Sequence, residues 1–169
     1  MSITSLLPDH YGYVFTGIFA TLLANIYLTV IVIKARKKYG IRYPTLYATA
    51  ADIDSKGLCK NQDDVNSYNG AQRCHQQTLE NVATLQVCGA VNGLLFPRFA
   101  GICLMVYAVG RIFYGNGYST KGPEGRRFGG MISHIGDIPL MLCTAYCALV
   151  LGGFASADGL FDLFALAGQ

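Results

Sequence analysis

The residues from Val14 to Ile33 read VFTGIFATLLANIYLTVIVI. They include no Asp, Glu, Lys or Arg, and the polar ones are scattered: Thr16, Thr21, Asn25 and Thr29. A helix lying on a soluble core shows water a continuous polar face, and this stretch offers none. Its length suits one crossing of the roughly 30 Å hydrocarbon layer, which takes about 20 apolar residues in helical form. The stretch predicts a membrane span.

The pattern recurs outward from there. Runs without Asp, Glu, Lys or Arg extend from Asn81 to Pro97, from Phe99 to Gly110 and from Ile138 to Ala157. The middle two reach spanning length only if each helix carries a polar or charged end. Over the whole chain 52% of residues are hydrophobic and 14% charged, against roughly 25% charged in ordinary soluble domains. These features predict an all-α, integral membrane four-helix bundle. It forms one domain over residues 1–169, with spans near 12–36, 70–96, 99–119 and 128–154.

Basic residues set the orientation. Twelve of the thirteen Lys and Arg lie in or beside the two polar segments that join the first span to the second and the third to the fourth. The opposite side keeps Arg98, with Asp9, Asp158 and Asp162. The positive-inside rule then puts the polar loops 37–70 and 119–127 on the cytoplasmic side. The first apolar run lacks a basic leader and is long enough to span, so it reads as a retained helix.

Along the chain, Pro8 and Asp9 are placed to start the first helix, and Arg42-Tyr43-Pro44 is expected to end it. Residues 48–67 have no apolar periodicity and read as a long loop. Gly122 and Pro123 stop the third helix, and the fourth is expected to follow Arg126-Arg127. The apolar tail Leu160–Leu166 suits a membrane surface or the bundle itself. Of six cysteines, Cys88, Cys103, Cys143 and Cys147 fall inside spans, and Cys59 and Cys74 lie toward the cytoplasm, where disulfides rarely persist. No Cys/His spacing resembles a zinc site, so no metal is expected.

Ionisable residues in a span need a cavity, a partner or an interface, which makes each a functional candidate. Arg73, Gln77 and Glu80 are spaced by four and three, on one helical stripe, where Arg73 and Glu80 can also simply form an internal salt bridge at the membrane rim. Arg111, Tyr114 and Tyr118 share a second stripe, although tyrosines near a helix end also suit an aromatic belt. Arg126 and Arg127 precede the fourth span, where such a pair is often a topology signal. His134 and Asp137 lie one turn apart, deeper in the same span, and can hydrogen-bond to each other.

The first three groups approach one membrane face. They offer guanidinium forks that suit carboxylates, a glutamate that suits an ammonium, and a further cation. Glutathione fits that inventory with two carboxylates, one ammonium and a thiol. A thiol with an ordinary pKa near ~8.5 is mostly protonated at neutral pH, and nearby positive charge lowers that value.

Ordered blocks of sequence carry a family resemblance. Lys34-Ala35-Arg36-Lys37-Lys38-Tyr39 with Tyr43-Pro44 comes first, then Gln72-Arg73-Cys74-His75-Gln76-Gln77-Thr78-Leu79-Glu80. Gly110-Arg111-Ile112-Phe113-Tyr114 with Gly117-Tyr118 follows. Over roughly residues 34 to 130 the chain resembles the MAPEG family, the membrane-associated proteins in eicosanoid and glutathione metabolism. Its nearest likeness there is to the type-3 microsomal glutathione transferase branch.

The resemblance implies a homotrimer with glutathione, as co-substrate, held between subunits. Arg36, Arg73, His75, Gln77, Glu80, Tyr114 and Tyr118 match positions that hold the tripeptide. Lys37 matches a basic position, and the thiolate-stabilising arginine falls at Arg126 or Arg127, with Arg126 preferred. Gln77 stands where the family usually has Asn, Asn81 replaces a tyrosine of the leukotriene-synthase branch, and the 48–67 loop is longer than usual.

Two readings of function follow. One is a glutathione transferase or peroxidase acting on lipophilic electrophiles or lipid hydroperoxides. The other is a non-catalytic accessory or lipid-binding subunit of a larger membrane assembly. Membrane lipids are partners in both, nucleic acid in neither, and the membrane is that of the endoplasmic reticulum or mitochondrion. A channel fits poorly, since a pathway needs polar residues through the midplane.

Overall fold

A computed structural model describes residues 6–154. The expected tail at Leu160–Leu166 lies outside the described residues. Three helices are assigned: α1 (Gly12–Tyr39), α2 (Gln62–Gly93) and α3 (Pro97–Leu151). Among the described residues there is no strand.

α1 runs three residues past the expected span boundary at 36 but stops short of the expected helix end at Arg42-Tyr43-Pro44. Gly40 stops it by adopting the left-handed conformation (φ 69°) and donating its N–H to the Arg36 carbonyl. Glycine takes that conformation without a Cβ penalty, so the helix ends before Arg42-Tyr43-Pro44 is reached. Arg36, Lys37 and Lys38 occupy the last turn, where positive charge faces the negative end of the helix dipole.

α2 starts earlier than the expected residue 70. The Asn61 side chain accepts from the Asp64 N–H at 2.9 Å, and Asp63 and Asp64 occupy the first turn. A capping side chain and early acidic residues stabilise a helix start.

The last six residues of the supposed 48–67 loop are therefore helical, and the remainder is packed. A 3₁₀ turn at Ala50–Asp52 is closed by reciprocal bonding of Thr49 and Asp52. Ile41, Ala48 and Cys59 join Ala35, Tyr39, Val65, Tyr68 and Ala71 in one apolar cluster. Those contributors are too irregularly spaced in sequence to show a period.

α3 is the element that departs most from the expected four helices. It is assigned as a single helix of 55 residues, but Gly122 inside it is non-helical (φ 64°, ψ −154°). Only glycine reaches such a conformation cheaply, and Pro123 next to it removes a backbone donor. The chain doubles back there. A Cβ added at Gly110 would strike Ser133, one at Gly129 would strike Tyr114, and one at Gly117 would strike Gly125. These meetings are centred on Gly122, so the two limbs, 97–121 and 123–151, lie antiparallel with backbones in close approach. The second limb begins at Pro123, which puts Arg126 and Arg127 inside its first turns rather than before it.

α1 and α2 are antiparallel: Tyr11 meets Ala90, Thr21 meets Gln86 and Thr29 meets His75. The first limb of α3 crosses α1 at Gly17–Leu104 and α2 at Gly89–Leu104. Asn92 ties α2 to the second limb, donating to the Leu140 carbonyl and to Thr144 Oγ1, both at 2.9 Å.

Two helices, α1 and α3, are long and apolar enough to cross a membrane. In their most apolar windows only 28% and 22% of residues are buried within the chain. The core of a soluble protein would bury most of such a window, so these outward apolar faces call for lipid or another subunit. α2 falls short on hydropathy because its first half, Gln62–Glu80, is polar.

Candidate functional site

The site is built from helix faces that spacing alone defines. Arg111 is the centre. Its side chain is 5% exposed. Nε donates to Thr78 Oγ1 at 2.8 Å, and Nη2 donates to the Cys74 carbonyl at 3.1 Å and to Gln77 Oε1 at 3.4 Å. The guanidinium also lies over the Tyr114 ring, 4.0 Å from its centroid. A buried cation is tolerable when its donors are met in this way.

From Arg111 a continuous stripe leads toward the reversal at Gly122. The Tyr114 and Tyr118 rings pack edge to face with centroids 5.7 Å apart. A Cβ at Gly70 of α2 would lie 2.7 Å from the Tyr118 carbonyl oxygen, so Tyr118 rests against that helix. The Arg126 guanidinium is 5.5 Å from the Tyr118 ring centroid and also interacts with the Tyr114 side chain. Arg126 is exposed, so much of its hydrogen-bonding capacity faces outward.

Its neighbour goes elsewhere. Arg127 Nη2 pairs with Glu124 at 2.9 Å, with both side chains about three-quarters exposed. The structure thus separates the two arginines that spacing left equivalent.

The α2 stripe is present as anticipated. Arg73 Nη1 pairs with Glu80 Oε1 at 2.9 Å, each roughly half exposed. Gln77 lies between them on the same face and joins this stripe to Arg111. Tyr47, which sequence reasoning passed over, bonds to Gln76 and also interacts with Arg73. Thr78 was likewise missed, and it is the closest acceptor of Arg111. Periodicity on α2 alone places Thr78 one residue from Gln77, but nothing in the sequence ties it to another helix.

Three expected ligand residues take other positions. Arg36 is buried, donating to the Thr45 carbonyl at 2.9 Å and lying 4.1 Å from the Tyr43 ring centroid. It clamps the 40–61 segment to the end of α1. Beside it, burial pushes the Tyr68 phenol up, and the Arg36 charge pulls it partly back. Lys37 is exposed, apart from the contacts of the Arg111 stripe. His75 faces α1, with Nε2 3.1 Å from Thr29 Oγ1.

Two cavities share no residue with the stripe. One of about 530 Å³ is lined by Tyr39, Arg42, Thr45, Asp54 and Cys59 among others, and one of about 400 Å³ lies by His10, Tyr13 and Met105. Burial pushes the Cys59 thiol up, with Asp64 and Asp52 adding to the effect, which suits a packing role. Among the described residues no group of His, Cys, Asp and Glu is placed to hold a metal ion.

The family model described as the MAPEG family matches residues 14–146. The chain belongs to the MAPEG family. That membership, with the two apolar helices, makes it a membrane protein and places it among proteins of glutathione and eicosanoid metabolism. Of this MAPEG chain's candidate residues, Gln77, Arg111, Tyr114, Tyr118 and Arg126 are brought into one contiguous stripe, with Arg73 and Glu80 beside it. Arg36, Lys37, His75 and Arg127 stand apart from it within the chain.

Proposed function

We propose that this MAPEG chain is a glutathione transferase and glutathione-dependent peroxidase that works at the cytoplasmic rim of a membrane. The chain would cross that membrane four times, through α1, α2 and the two limbs of α3. The observation that carries the reading is Arg126: an exposed guanidinium beside the Tyr118 ring that also interacts with Tyr114, the residue on which the buried Arg111 stacks. Glu80 supplies a carboxylate for the glutathione ammonium, and Arg73 a fork for a carboxylate. Arg126 is left to face the sulfur, where a positive charge favours thiolate over thiol.

The stripe is open on its outer side, so a neighbouring copy in a homotrimer would close it. Of the expected residues that lie elsewhere, exposed Lys37 is the one such a neighbour would present to the ligand, whereas Arg36 is buried against Thr45 and Tyr43 and His75 is engaged with Thr29.

Chemistry then follows from position and charge. The thiol proton leaves to solvent. The thiolate attacks an electrophilic carbon, an S–C bond forms, and the leaving group departs with its electron pair. With a lipid hydroperoxide the sulfur attacks oxygen and the O–O bond breaks. The lipid alcohol leaves, and a second glutathione converts the sulfenic acid to disulfide and water.

Ultraviolet difference absorbance on adding glutathione to detergent-solubilised protein tests this directly. Thiolate formation and conjugation in the wild type, both lost in Arg126→Ala and kept in Arg127→Ala, is the expected result. Absence of both in the wild type would refute the catalytic reading and favour an accessory subunit.

A further inference from the structure

Beyond the glutathione site, one ionisable pair in a span is left unused. His134 Nδ1 lies 3.1 Å from Asp137 Oδ1, and the His134 side chain is 63% exposed whereas Asp137 is 14% exposed. The carboxylate only accepts, so Nδ1 carries the proton and Nε2 is free to face outward. Among the described residues Nε2 has no partner. A polar group presented to the surroundings at membrane depth is costly unless something meets it.

Its position says what that is. Gly130, His134 and Asp137 follow Arg126 by four, eight and eleven residues, which keeps all four on one side of the second limb. At 1.5 Å per residue, His134 lies about 12 Å from Arg126 along the axis.

Between them stands Gly130. A Cβ there would only touch the Tyr114 ring at 3.7 Å. With no side chain at Gly130, the interval is left open beside the Tyr114 ring, and the exposed apolar side chains Met131 and Ile138 lie on the flank next to His134. This track starts at the proposed thiolate and descends into the bilayer.

We propose that His134, held by Asp137, is a distal subsite for the lipophilic co-substrate. Its Nε2 would accept a hydrogen bond from a hydroxyl of the co-substrate, about 12 Å along the helix axis from Arg126. The preferred co-substrates are then long-chain electrophiles or hydroperoxides that carry a hydroxyl further along the chain, lying along the Gly130 track. The inference rests on the transferase reading for its reaction. It rests on the His134–Gly130–Arg126 stripe for its specificity.

The test uses the full chain in detergent and two long-chain enal probes of equal length, one ending in a hydroxyl and one in a methyl. A short aromatic chloride, 1-chloro-2,4-dinitrobenzene, serves as control. In wild type the hydroxyl-ended probe should have a kcat/KM about tenfold above its methyl-ended partner, the upper end of the scale for one neutral hydrogen bond. His134→Leu should abolish that preference, Asp137→Asn should weaken it, and turnover of the short chloride should be unchanged in both.

An equal preference in wild type and His134→Leu overturns the proposal. So does a loss of turnover with all three probes, which marks the pair as merely structural. Equilibrium binding of fluorescent hydroxyl-ended and methyl-ended lipids, without glutathione, keeps the question separate from catalysis. If wild type conjugates none of the probes, the transferase reading fails. A His134-dependent binding preference would still support the subsite, and its absence would overturn it.

Discussion

Arg111 and Arg126 lie on opposite limbs of α3, one before and one after the reversal at Gly122, and both reach Tyr114. One is closed, the other open. Arg111 is buried, with three acceptors from α2 around its guanidinium. Arg126 is exposed, lies beside the Tyr118 ring and interacts with the Tyr114 side chain, which leaves most of its N–H groups facing outward. On that difference rests the proposal that Arg111 positions other groups while Arg126 is offered to a ligand. Within the chain Arg111 braces α2 through Thr78, Gln77 and the Cys74 carbonyl.

Arg111→Ala is the harshest way to break that contrast. It would strand Thr78 and Gln77 and empty a buried volume, and hydrogen bonds to charged groups are worth about 1.5–3 kcal/mol each. Loss of roughly 3 kcal/mol or more is expected, read as a large drop in the melting temperature of the solubilised protein. A melting curve like that of wild type would mean Arg111 is no brace, and the two arginines would have to be treated alike.

Arg126→Ala should do the opposite. Stability should hardly change, while kcat for conjugation of a simple electrophile falls by about a hundredfold or more, the usual scale for removing one group that stabilises developing or resident negative charge. Steady-state kinetics and the thiolate absorbance should fall together. A variant that keeps its thiolate and loses only KM would move Arg126 from the sulfur to a carboxylate of the tripeptide.

The same contrast explains what was legible beforehand. The stripes 73/77/80 and 111/114/118 follow from helical period, and Gly122-Pro123 announces a stop by backbone chemistry. The difference between Arg111 and Arg126 does not, because Thr78, Gln77 and the Cys74 carbonyl belong to another helix, and saturation of a donor is a tertiary fact. The 48–67 segment is a different kind of miss. Asn61 with Asp64 three residues on is a readable helix start, and the scattered Ile41, Ala48 and Cys59 gave no period to find. Nor could spacing show that Arg36 turns inward to Thr45 and Tyr43, since its basic neighbours Lys34, Lys37 and Lys38 look the same on paper.

Glu80→Gln sharpens the comparison on the α2 side. The substitution removes the partner of Arg73 and the carboxylate offered to the glutathione ammonium, in a place that is half exposed. KM for glutathione should rise by about tenfold with kcat nearly unchanged, the pattern of lost uniform binding. A fall in kcat of the same size, with KM constant, would put Glu80 in the reacting machinery instead.

The smallest effect expected is also the one that isolates Arg126. Arg127 adjoins it in sequence and carries the same charge, but its guanidinium is paired with Glu124 at the surface. Exposed pairs of that kind contribute about 0–1 kcal/mol, so Arg127→Ala should leave melting temperature, KM and kcat within about twofold of wild type. Charge at the reversal is reduced by the same amount in Arg126→Ala and Arg127→Ala. If both variants lose activity equally, the net field of the helix end is what matters, and the orientation of Arg126 toward Tyr114 and Tyr118 carries no function. If only Arg126→Ala does, a long-range field is excluded by the paired measurement, and direction rather than charge count accounts for the chemistry.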